Sequence, residues 1–127
     1  MDIFYSFAAV IIGGALYNIL EVLWRGYTHP SMTLVGGICF LFILITEKRP
    51  DLSLFSKAAL SAVFITSAEF VSGVILNIFL KLNVWDYSDK PFNILGQVCP
   101  TYFILWFVLS LIIFAVFKSF KLLFPGL

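Results

Sequence analysis

The order of apolar and polar residues divides the chain into four long hydrophobic runs with short polar breaks between them, at about Ile3 to Trp24, Ser31 to Glu47, Leu54 to Leu82 and Pro91 to Lys118. Runs of this length can cross a hydrocarbon core, which takes about 20 apolar residues as a helix. Helix is the only form open to them. Backbone amides cannot stay unpaired in lipid, and four spans are too few, and too evenly apolar around their circumference, for a closed barrel. The breaks carry turn chemistry: Gly26 and Pro30 in the first, Lys48, Arg49, Pro50 and Asp51 in the second, Asp86 to Pro91 in the third. Pro30 and Pro91 stand near helix starts, where a missing amide costs nothing, with Thr28, Ser31, Ser88, Asp89 and Asn93 available as caps. The expectation is an all-α polytopic membrane protein, a single four-helix transmembrane domain.

Composition sharpens that picture. The 127 residues are 61% hydrophobic and only 12% charged, with a mean hydropathy of +1.05, whereas soluble domains carry about 25% charged residues. Four spans leave no length for a catalytic or nucleotide-binding domain outside the bilayer. The opening MDIFYSF lacks the basic n-region of a cleaved signal peptide, so the first helix is expected to stay in the mature chain. A net charge of +1, scattered over loops, argues against nucleic-acid binding. Lys48, Arg49, Lys57, Lys118 and Lys121 fall on one side and Arg25, Lys81 and Lys90 on the other. That excess favours cytoplasmic termini. Cys39 and Cys99 lie in apolar segments and read as small buried hydrophobes.

The halves echo one another. GALYNI (Gly14 to Ile19) lies over GVILNI (Gly73 to Ile78), and YTHPSMTLVGGIC (Tyr27 to Cys39) over YSDKPFNILGQVC (Tyr87 to Cys99), with Trp24 meeting Trp85 between them. Paired Gly, Asn, Trp, Tyr and Cys in one order point to two helical-hairpin repeats, about 3–47 and about 54–118, in parallel orientation about an axis along the membrane normal. Trp24, Trp85, Tyr27 and Tyr87 then mark two corners on one face, either an interfacial aromatic belt or the mouth of a ligand path.

Two helices carry polar stripes. Gly14, Tyr17, Asn18, Glu21 and Arg25 share one face of the first, and Ala58, Ala62, Thr66, Glu69, Ser72, Gly73 and Asn77 one face of the third. Glu69 has no charged residue within two turns. An unpaired carboxylate in a span costs at least about 2.5 to 3.5 kcal/mol, so Glu69 must pair across helices, hold a proton, or touch water or a ligand. Glu21 and Arg25 form an i, i+4 pair, although Arg25 could instead reach Glu69 or an anionic headgroup. Asn93, Gln97 and Thr101 fall at spacing four on the fourth predicted helix, with Pro100 placed to kink it. Asp86 reads as a loop-ordering cap or part of a rim, and His29 as a solvated loop residue or a proton handler. No metal site or cofactor is expected: a lone His without ligand spacing, and no phosphate-cradling loop or nucleophile motif, leave soluble-enzyme chemistry without support.

Glu21-Val22-Leu23-Trp24-Arg25-Gly26, His29, Gly36-Gly37, Asn77, the run Trp85-Asp86-Tyr87-Ser88, and then Pro91, Asn93 and Gly96-Gln97 together resemble the ABC-transporter type IV, or CmpB-like, membrane family, over about Gly14 to Trp106. The resemblance implies a small multispanning permease of the bacterial cytoplasmic membrane, working as a homodimer or with another membrane or ATPase subunit. The residues point to a ligand or proton site of Asn18, Glu21, Arg25, Glu69, Asn77 and Gln97, rimmed by Trp24, His29, Trp85, Asp86, Tyr87 and Asn93, for a small or amphiphilic molecule. Two other readings stand beside it: an intramembrane or lipid-modifying enzyme using Glu69 or Glu21 as acid or base, and a scaffold in which the stripes only join helices.

Overall fold

The computed structural model describes residues 2–126. It contains α1 (Ile3–Arg25), α2 (Pro30–Glu47), α3 (Leu54–Gly73, continued as a π-helix over Val74–Phe79) and α4 (Pro100–Leu123). Each is long and apolar enough to cross a membrane. Asp2 caps α1 by accepting from the Tyr5 amide, Ser53 caps α3 by accepting from Ser56, and Pro30 opens α2. Gly26 ends α1 in the left-handed region at φ 85°.

The helices pack as two hairpins, α1 on α2 and α3 on α4, joined by contact between α2 and α3. Glycines set the first seam. Gly36 lies against Tyr17 and Gly37 against the Val10 backbone, while Gly14 abuts the Thr33 backbone, so a Cβ at any of them would collide. The second seam buries Ala58 and Ile65 against Phe114. Among the described residues α1 and α4 share no close helix packing. They part instead, and a crevice opens between them. At one end of the bundle Glu47 receives Lys57 at 3.4 Å and Lys121 at 2.8 Å. Lys48 lies 5.7 Å from the Tyr5 ring centre, so the start of α1 and the last turns of α4 both lie at the α2–α3 turn.

Three boundaries differ from expectation by more than a residue: α4 runs on to Leu123 rather than Lys118, and the other two matter for the site. The third helix stops at Phe79 rather than Leu82, its end wound as a π-helix. The fourth begins at Pro100 rather than Pro91. Both prolines suit a first helical turn, and the 24 residues from Pro100 already span a bilayer. Pro100 is therefore a start and not a kink, and Asn93 and Gln97 do not lie on a helix. The corner between, 80–99, is irregular: Lys81, Asn83, Phe92 and Leu95 have positive φ, as does Gly96 at 74°. Irregular backbone survives beside hydrocarbon when its polar groups are satisfied internally. Tyr87 N–H donates to the Gly96 carbonyl at 2.7 Å and Ile94 N–H to the Val98 carbonyl at 2.9 Å.

The corner folds inward. Val84, Trp85, Tyr87, Gln97, Val98 and Cys99 are all buried, and Trp85 and Tyr87 pack with Met32 and Cys99. The residues matched to them in the first half behave otherwise: Trp24 is 69% exposed and Tyr27 56%. Gly36 and Cys39 lie within α2, whereas Gly96 turns the corner and Cys99 stands just before the first turn of α4.

Candidate functional site

One chain of hydrogen bonds crosses every structural unit at the corner end of the bundle. Thr33 of α2 donates to Asn18 Oδ1 of α1 at 2.6 Å, and Asn18 Nδ2 donates to the Thr28 hydroxyl at 2.8 Å. Thr28 in turn donates to Glu21 Oε1 at 2.8 Å. Arg25 Nη1 pairs with Glu21 Oε2 at 3.2 Å, one helical turn on, and Nη2 donates to the Tyr87 hydroxyl at 2.5 Å. Tyr87 donates to Glu69 Oε2 of α3 at 3.0 Å, and Trp106 Nε1 of α4 reaches Glu69 Oε1 at 3.4 Å. Each acceptor has its donor and each hydroxyl takes part both ways or donates, the condition under which a buried polar network is stable.

Aromatic rings frame the charges. Tyr87 stacks on Tyr102 at 4.4 Å between centres, and Arg25 lies 5.5 Å and 5.9 Å from those two rings. Burial and the Glu69 carboxylate push the Tyr87 phenol above its ordinary range, so it keeps its proton and remains a donor.

The expected site residues separate into two groups. Asn18, Glu21, Arg25 and Glu69 meet in the network above. Arg25 does not touch Glu69 directly, because the Tyr87 hydroxyl stands between them. Asn77 and Gln97 belong instead to the fastening of the corner: Asn77 Nδ2 donates to Gln97 Oε1 at 2.7 Å, and Asn77 Oδ1 accepts from the Val84 amide at 2.7 Å. Gln97 Nε2 donates to the Leu95 carbonyl at 2.9 Å, and Trp85 Nε1 to the Gln97 carbonyl at 3.0 Å.

The expected rim divides likewise. Trp24 stays outside, its indole 3.3 Å from the Tyr102 hydroxyl. His29 caps α2 by accepting from Ser31 N–H at 3.2 Å. Asp86 accepts from Ser88 N–H at 2.9 Å, and Asn93 holds the Lys90 carbonyl and Gly96 amide, both at 2.9 Å, so these two order the corner. Trp85 and Tyr87 are interior residues and not rim. Tyr102 and Trp106 escaped the sequence reading. Their spacing of four, as the polar-tipped aromatics of a Leu, Ile and Phe helix, was the available signal.

The crevice between α1 and α4 runs up to this network. Its larger part has a volume of about 480 Å³, lined by Tyr17, Leu20, Phe40, Trp106 and Leu109 with Glu69 at its wall. Its smaller part, about 230 Å³, reaches Glu21, Arg25 and Tyr102. Size, apolar walls and a few convergent polar groups are the attributes of a small-molecule site.

Four helices of membrane-spanning length around a buried polar chain define an integral membrane protein. The chain belongs to the family described as "Putative ABC-transporter type IV", which matches residues 3–124. No curated protein and no solved structure matches it.

Proposed function

We propose that this protein is the membrane-embedded subunit of a transporter, or permease, that admits an amphiphilic molecule sideways from the bilayer into the crevice between α1 and α4. The observation that carries this reading is the meeting of an apolar crevice, part-open between two membrane-length helices, with a polar chain that reaches Glu69. The hydrocarbon part would lie along Leu20, Leu109 and Ile112, and the polar part against Glu69, Glu21 and Arg25. The family's name supports a working partnership with an ATPase subunit or a second copy of the chain. The excess of Lys and Arg beside the α2–α3 turn supports cytoplasmic termini in a bacterial inner membrane.

Duplicated hairpins fit the same reading, since Asn18 and Asn77 each bond the corner that follows its own helix. The test is photolabelling in lipid with an alkyl diazirine amphiphile. Labels should concentrate on Leu20, Trp106 and Leu109 over the lipid-facing Ile11 and Ile104. Even labelling of both sets contradicts the proposal.

A further inference from the structure

Of the two carboxylates in the network, Glu21 has a cation and Glu69 has none. Arg25 gives Nη1 to Glu21 and Nη2 to Tyr87, so its charge is committed before Glu69 is reached. Glu69 receives neutral donors, the Tyr87 phenol at 3.0 Å and the Trp106 indole at 3.4 Å. The titratable and charged groups near it are Tyr17, Glu21 and Arg25 from α1, Cys39 from α2 and Tyr87 from the corner. Counted as ions, two carboxylates and one guanidinium leave the cluster one negative charge in excess when Glu69 is ionised, and neutral when it is protonated.

An unpaired carboxylate in this setting is costly, so Glu69 is stable either with a proton or beside a counter-cation. The room for that cation is the crevice. At about 480 Å³ it lies within the range of roughly 300 to 1,000 Å³ usual for small-molecule sites. A hard metal ion, which takes about six or more oxygen ligands, would lose its water there with few side-chain oxygens beyond those of Glu69 and Tyr17 to replace it. An organic cation brings its own apolar shell, and the Tyr17 and Trp106 rings, 6.2 Å apart at their centres, border Glu69 with faces that attract such cations.

We infer that the crevice takes a lipophilic organic cation, an ammonium or phosphonium with an apolar body, in exchange for the proton of Glu69. The inference rests on the crevice being a substrate site and names the substrate's charge. The Glu69 carboxyl releases its proton to water as the cation arrives, the carboxylate then balances the cation, and the charge of the cluster with its ligand stays neutral throughout. An anionic amphiphile finds no equivalent place, because it would add charge to a cluster whose guanidinium already serves Glu21 and Tyr87.

The experiment places the full chain in phosphatidylcholine nanodiscs and titrates it with tetraphenylphosphonium, dodecyl phosphate or dodecanol, with empty discs subtracted. Calorimetry reads binding and a dye in weak buffer reads protons. The phosphonium should bind, release up to about one proton each, and weaken about tenfold per unit of falling pH on the acid limb. Glu69→Gln, checked for folding by circular dichroism, should lose most of the binding and all of the proton release. If that variant fails to fold, the wild-type proton count and pH slope decide alone. Phosphonium binding without proton release or pH dependence overturns the exchange. Binding of the phosphate or the alcohol but not the phosphonium overturns the cation preference and leaves the substrate site standing. Binding of none of the three overturns both.

Discussion

The Tyr87 hydroxyl donates to Glu69 at 3.0 Å while it accepts from Arg25, so a single phenol joins the charged pair of α1 to the lone carboxylate of α3. Tyr87→Phe removes that oxygen and little else, leaving two buried groups short of a partner. Unsatisfied buried groups cost about 1–3 kcal/mol each, more when charged. The variant should lose at least that much stability in denaturant unfolding with its helices retained, and Tyr27→Phe, at the matched but exposed position, should lose almost nothing.

The Glu21–Arg25 pair is largely buried, with side chains 7% and 15% exposed. Removing one partner of such a pair strands the other and costs roughly 3–5 kcal/mol. Arg25→Met and Glu21→Gln should each be strongly destabilising. The double variant should lose less than the sum of the two, which a double-mutant cycle measures directly.

Gly37 has no room for a side chain, because a Cβ there would collide with the Val10 backbone. Gly37→Val should force α1 from α2 and cost about 1–3 kcal/mol. Gly126→Val, in open space, should leave unfolding unchanged.

Asn77 ties the π-helical end of α3 to the corner by accepting from Val84 N–H and donating to Gln97. Asn77→Leu should speed hydrogen exchange at Val84 and across 84–99 while α1 and α2 keep their protection. Unchanged exchange at Val84 would show that the corner stays folded without this side chain.

Spans were the most legible part of the sequence, since the cost of bare backbone in lipid leaves four apolar runs no form but helix. The stripe of Gly14, Asn18, Glu21 and Arg25 was legible too, because helical spacing alone places those residues on one face. The corner was not. Pro91 and Pro100 both suit a helix start, and local pattern did not choose between them. The choice rests on contacts distant in sequence: Asn77 to Gln97, and Tyr87 to Glu69, 18 residues away. For the same reason Trp85 and Tyr87 read as interfacial residues and proved to be interior, although the same residue types at Trp24 and Tyr27 are exposed. An aromatic with a polar tip suits a headgroup layer or a buried bond equally well, and only the partner decides.

The inward fold of the corner is tested most directly by carbon–carbon correlation in solid-state NMR of the chain in lipid bilayers, labelled at Tyr87 Cζ and Glu69 Cδ. A hydroxyl bonded to that carboxylate puts the two carbons within about 5 Å, so a cross peak is expected, and it should vanish in Tyr87→Phe. A spectrum of the folded protein without that peak would place Tyr87 away from Glu69 and contradict the site as described.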